Sequence, residues 1–178
     1  MPDGIFPVEV VTPEAALVDG TASAVVLRSS DGDLTVLDGH TALVTDVVPG
    51  EVRIEQADGS TLALAEHGGF LYVDTSPGAA ERAEGTAGPA EGAPAGLSTR
   101  VTLLFGVAEL ADQIDVARAR AARDRATARL DEVRAAGRGT TEPGAEGVLS
   151  ETDLEMAELA AALRRAEVRL EVTGETSG

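Results

Sequence analysis

The sequence contains no cysteine, no lysine and no tryptophan, and aromatic residues make up only 2% of it. Without cysteine there are no disulfides, no thiolate metal ligands and no cysteine nucleophiles. With so few aromatic rings, any core must be built from Val, Leu, Ile and Ala. All basic side-chain charge is arginine, which together with abundant Ala and Gly reads as genomic base composition. Basic charge is also scarce: 14 Arg face 31 Asp and Glu, for a formal net charge of −17. Nucleic acid and direct adhesion to anionic lipid both need Arg/Lys surfaces, so neither is expected. No apolar run approaches the roughly 20 residues needed to span a bilayer. Met1-Pro2-Asp3-Gly4 has neither a basic nor an apolar segment of signal-peptide type, so none is expected. Only two histidines occur, His40 and His67, too few and too far apart for a zinc site; no metal site is predicted.

What is present is enough hydrophobic sequence, 43% of 178 residues, for one ordinary domain and a small appendage. Residues 5–75 read as short strands separated by turn chemistry. Phe6 to Val11 stops at Thr12-Pro13, and Ala24 to Arg28 ends at Ser29-Ser30-Asp31-Gly32. Leu34 to Leu37 halts at Asp38-Gly39. Val52 and Ile54 share one face with Arg53 and Glu55 on the other, the period-two signature of a half-solvated strand. Asp58-Gly59 is a hairpin pair, after which Thr61 to Ala65 returns. Gly68-Gly69 precedes Phe70 to Val73. Turn signals every 8–12 residues without a helical period indicate an antiparallel sandwich or barrel.

Residues 76–99 are rich in Gly, Ala, Pro and Glu, with Leu97 the one large apolar residue. Such a stretch cannot offset its ordering entropy and is expected to be a disordered insertion. Arg100 to Phe105 resumes the strand pattern as the return strand for Phe70 to Val73. From Asp112 the period changes. Val116, Ala119, Ala122, Ala126, Leu130 and Val133 form one helical stripe, ended by Gly137 and Gly139. After a polar linker, Ser150 is an N-cap with Glu151 and Asp153 in the first turn. Met156, Leu159, Leu163, Ala166 and Leu170 form a second stripe, with Gly174 beyond its end. Two such helices should fold back antiparallel. The alanine-rich stripe implies a weak interface that can open. The expected fold is thus α+β: a β-sandwich domain over 1–110 containing the 76–99 insertion, an α-helical hairpin over 111–173 with its linker at 137–149, and a tail at 174–178.

No phosphate-binding loop, dinucleotide fingerprint, nucleophile elbow or Ser-His-acid order is present. His67-Gly68-Gly69 reads as a turn rather than an oxyanion loop, since no GxSxG accompanies it. Asp115 and Arg118 are three apart and adjacent on a helix face, and an antiparallel hairpin would set Arg165 and Arg169 opposite. A carboxylate with converging guanidiniums can hold a polyphosphate and a purine or ribose; a solvated salt-bridge face is the alternative.

The order Gly32-Asp33-Leu34, Gly39-His40-Thr41-Ala42-Leu43, Pro49-Gly50-Glu51-Val52-Arg53-Ile54, His67-Gly68-Gly69-Phe70-Leu71 and Ala108-Glu109-Leu110-Ala111…Ile114-Asp115 resembles the epsilon subunit of bacterial F-type ATP synthases, over roughly 5–75 and 100–172. The resemblance implies about ten strands in two sheets plus the C-terminal hairpin. It implies a non-catalytic place in the central stalk, peripheral on the cytoplasmic face of the cell membrane. The expected partners are the gamma subunit and the c ring, with the alpha and beta subunits reached when the hairpin extends to inhibit ATP hydrolysis. Thr12, Asp33 and His40 fall where the family makes stalk contacts. Glu109, Asp115, Arg118, Arg165 and Arg169 fill the positions used by members that bind ATP as a regulatory ligand; no obligatory cofactor is implied. The chain departs from the family pattern at Asp38, where proline is usual, at Phe105-Gly106, and in its two long linkers. The rival readings are a stand-alone small-ligand module with the hairpin as lid, and an enzyme using Asp115 or Glu109 as a general base, for which no nucleophile or metal partner is evident.

Overall fold

A computed structural model describes residues 4–77, 97–137 and 150–175. Nine strands come first: β1 (Phe6–Val11), β2 (Ala16–Ser29), β3 (Gly32–Leu37), β4 (Leu43–Val47), β5 (Gly50–Gln56), β6 (Thr61–Glu66), β7 (Gly69–Pro77), β8 (Leu97–Phe105) and β9 (Ala108–Leu110). A short 3-10 turn, Ala111–Gln113, precedes helices α1 (Val116–Gly137) and α2 (Glu151–Val172). The chain divides into two compact units, Met1–Gln113 and Ile114–Gly178. The composition pattern put that boundary at 110/111; the 3-10 turn, with neither strand nor helix period, accounts for the difference.

Strand pairing follows the order β1-β8-β7-β4-β2-β5-β6-β9, with β3 and β1 also on β2. The run β1-β8-β7-β4 makes one layer, and β2, β3, β5, β6 and β9 make the other. The long strand β2 links them: residues 16–22 pair with β1 and residues 22–29 with β5 and β3. Nine strands, not ten, are present among the described residues. One pairing is parallel rather than antiparallel, with Val8 opposite Val101 and Val10 opposite Leu103.

The alternating residues supply the core as the period-two reading requires. Val8 and Val10 of β1, Val52 and Ile54 of β5, Leu71 and Val73 of β7, and Val101 and Leu103 of β8 are all buried. Phe6 and Phe105 are the only aromatic members of this cluster. Each such side chain stabilises the fold by about 1.5–3 kcal/mol through burial alone. Gly69 is required at the start of β7, because a Cβ there would collide with the Leu104 carbonyl and the Phe105 ring.

β7 and β8 form the expected hairpin, in register from Gly69 opposite Phe105 to Pro77 opposite Leu97. The predicted insertion is therefore shorter than 76–99 at both ends. Cross-strand pairing carries residues 76–77 and 97–99 into the sheet, with Ser98 Oγ donating to the Ser76 carbonyl at 3.3 Å. The remainder of the predicted disordered segment, and the linker from 138 to 149, lie outside the described residues.

In the second unit the two helices pack against each other as a hairpin. Their antiparallel sense is fixed by two cross-helix ion pairs, Arg120 with Glu175 and Arg129 with Glu155. From α1, Ala119, Ala126, Leu130 and Val133 are buried. The α2 stripe is covered less evenly: Ala166 and Leu170 are buried, while Met156, Leu159 and Leu163 are half-buried. Val168, off the predicted stripe, is buried too. Ser150 caps α2 in a full capping box, accepting from the Asp153 N–H at 3.1 Å while Asp153 Oδ2 accepts from the Ser150 N–H at 3.1 Å. Gly174, at φ 74°, turns the chain out of the helix, the left-handed exit that only glycine makes without strain.

Candidate functional site

The residues suggested for a ligand are divided by the fold. Glu109 is on β9 of the first unit, opposite Ala65 in the β6–β9 ladder. Asp115, Arg118, Arg165 and Arg169 belong to the second unit. Asp115 is the N-cap of α1, and its Oδ1 accepts from the Arg118 backbone N–H at 2.9 Å. Thus the Asp-x-x-Arg spacing places the carboxylate on the helix backbone, not on the Arg118 guanidinium, which points out as an exposed side chain.

Arg165 lines a shallow groove between the helices with Arg129, Glu155, Glu158 and Leu159. Arg129 is heavily engaged there. Its Nε and Nη2 donate to Glu155 Oε1 at 3.1 and 2.7 Å, and its Nη1 donates to Glu132 Oε2 at 3.0 Å. The bonds to Glu132 and Glu155 hold the Arg129 pKa above its ordinary value. Arg169, in the last turn of α2, is half-buried. Among the described residues no group of acids and histidines is arranged to hold a metal ion.

The three stalk-contact candidates all sit at turns of the first unit. Thr12 builds the β1–β2 turn: its Oγ1 donates to the Ala15 carbonyl at 3.1 Å and accepts from the Ala15 N–H at 3.2 Å. Asp33 follows Gly32 at the tip of the β2–β3 hairpin, exposed and 3.8 Å from Arg28. His40 lies in the β3–β4 loop with its Nδ1 2.8 Å from the Thr41 carbonyl oxygen.

A larger feature was not singled out from the sequence. On the outer face of β4, β7 and β8, Val44 (64% exposed) stands opposite Tyr72 (46%), and Phe70 (58%) stands opposite Leu104 (47%). These four side chains make a contiguous apolar surface on an otherwise acidic sandwich, the kind of patch that marks an interaction site. The signal was in the sequence: Phe70-Leu71-Tyr72-Val73 is apolar at every position, whereas a strand with one solvated face should alternate. Glu66 also escaped notice. It is fully buried at the end of β6, and its Oε2 accepts from the Gly68 N–H at 2.6 Å, which fixes the turn into β7.

Fold and surface together define a two-part protein, an acidic β-sandwich with an exposed apolar patch followed by a helical hairpin. Residues 5–77 match the family described as "ATP synthase, Delta/Epsilon chain, beta-sandwich domain". The chain is 34% identical to an ATP synthase epsilon chain from Brevibacillus brevis, over 70% of this chain and 77% of that one. It is 36% identical to another from Desulforapulum autotrophicum, over 74% and 80%, and 33% identical to one from Streptomyces avermitilis, over 70% and 82%. The chain belongs to the ATP synthase epsilon-chain family. As such it is a subunit of the synthase and not an enzyme in its own right.

Proposed function

We propose that the sandwich is the docking block of the central stalk, joining the gamma subunit to the c ring, and that the hairpin is a movable element that restrains ATP hydrolysis. The exposed apolar face of Val44, Phe70, Tyr72 and Leu104 carries the docking reading, because a partner that covers it removes apolar surface from water at about 25 cal/mol per Å². The gamma subunit is assigned to this face, which continues into the His40 loop. The acidic β2–β3 tip with Asp33 is assigned to the c ring. No helix among the described residues is long and apolar enough to cross a membrane, so attachment at the cytoplasmic face runs through these partners. The alpha and beta subunits are met only when the hairpin extends.

Co-expression with gamma tests the docking reading. Tyr72→Asp or Phe70→Asp should abolish co-purification while leaving the sandwich folded, since both side chains already face solvent. Unchanged co-purification would move the docking surface off this face, and a wild-type chain that stays a monomer beside gamma would instead favour the stand-alone module.

The hairpin reading includes ATP as a regulatory ligand, engaging Asp115, Arg118, Arg165 and Arg169 of the second unit. The exposed guanidiniums of Arg118 and Arg165 support it. ATP favours the folded hairpin only to the extent that it binds that state more tightly than the extended one. Calorimetric titration of the chain with ATP should give heat that Arg165→Ala removes; no heat at millimolar nucleotide would eliminate the sensing role.

A further inference from the structure

The loop that carries His40 is held by two threonines that face each other across a strand pair. Thr75 of β7 and Thr99 of β8 are directly opposite in the ladder. They continue the inward rows of Leu71 and Val73 and of Leu103 and Val101, whose members are apolar and buried. Thr99 is itself only 1% exposed. Its Oγ1 accepts from the Gly39 N–H at 2.8 Å, while Thr75 Oγ1 donates to the His40 carbonyl. A backbone donor and a backbone acceptor of consecutive loop residues are thus gripped by one cross-strand pair. The His40 N–H donates to the Leu37 carbonyl at 3.0 Å, and Gly39 takes φ 79°, which closes the turn.

Valine has nearly the shape of threonine and suits an inward strand position at least as well. What the two hydroxyls add at the end of the core is therefore a grip on the loop. That loop leads directly into β4, whose Val44 stands on the exposed apolar face.

We propose that Thr75 and Thr99 are positioning residues for partner docking. They hold residues 38–42 in a single conformation, so that His40 and the start of β4 meet the partner already ordered. A preformed loop loses less conformational entropy on association, which strengthens binding without adding a contact. This inference rests on the docking reading above. It assigns a role to two residues that themselves need not touch the partner.

The experiment uses the full chain with Thr99→Val, Thr75→Val and Thr99→Ser. Amide hydrogen exchange is followed at residues 39–42, and the dissociation rate from gamma is measured in parallel. Thr99→Val should raise exchange of the Gly39 amide about tenfold or more and speed dissociation roughly three- to tenfold, as loss of one partly buried hydrogen bond implies. Thr75→Val should loosen the same loop, and Thr99→Ser, which keeps the hydroxyl, should restore both readouts. If Thr99→Val fails to fold, Thr75→Val at its half-buried site carries the test. Unchanged exchange at 39–42 in the valine variants would overturn the grip. Faster exchange with unaltered dissociation would overturn the positioning role. A wild-type chain that does not bind gamma would sink the docking reading, while the exchange data would still decide whether the grip exists.

Discussion

The two units hold themselves together in different ways. In the sandwich, nine strands bury a continuous aliphatic cluster with members on both layers, and most of its side chains are entirely covered. In the hairpin, α1 contributes alanine at half of its buried positions, and the first half of α2 has no buried residue at all; Leu154 there is 50% exposed. The hairpin relies more on local devices: an Asp115 cap, a capping box at Ser150 and two exposed cross-helix ion pairs. A block stabilised by deep burial resists deformation as a unit, whereas a seam of small residues can part at modest cost. That contrast is what a fixed docking body with a movable arm requires.

The contrast can be broken or sharpened by substitution. Leu71→Ala in the sandwich should show the largest loss, about 3–5 kcal/mol, because rigid neighbours leave a cavity behind. It is measured by urea denaturation followed through the circular dichroism of the strands. Leu130→Ala in α1 should cost less, about 2–3 kcal/mol, because neighbours on the thinly covered side can settle into the space. A hairpin loss equal to the sandwich loss would show that the seam is as firmly packed as the core. Ser150→Ala should cost about 1 kcal/mol, confined to α2; amide exchange over residues 151–156 would report it, and an effect reaching the strands would count against two independent units.

The smallest effect is set by pH. The hydrogen bonds from the Ser150 side chain and backbone hold the Asp153 carboxyl below its ordinary value of 3.8. A depressed carboxylate pKa means that the cap's contribution is complete above about pH 3.8 and is lost as pH falls through the lower folded value. Helicity of α2 should therefore fray in that acidic window, and Asp153→Asn should remove this component of the titration.

Much of this was legible from residue pattern. Val52 and Ile54 announce a strand with one wet face, and Ser150 with Asp153 announces a helix start. The first half of β2 was hidden because Asp19-Gly20 reads as turn chemistry. In the fold Gly20 has no positive φ and pairs with Val8 instead. β9 was missed for its brevity, since three residues display no period, and β4, Leu43-Val44-Thr45-Asp46-Val47, because its apolar and polar residues do not alternate cleanly; both owe their conformation to the neighbours they pair with. The candidate ligand residues were visible as types and spacings, but not the choice of Asp115 to cap its own helix. That choice depends on where α1 begins, and a single chain's spacing leaves that open by a residue or two.

The length of β2 has a mechanical consequence. Because one half of this 14-residue strand is bonded to β1 and the other to β5 and β3, the layers cannot slide past each other without tearing ladders on both sides of a single covalent strand. A sideways load entering at one face is passed across as tension in a peptide backbone instead of as slippage between greasy surfaces. Such a shear-resistant spine suits the docking block proposed above, which must keep its shape under load.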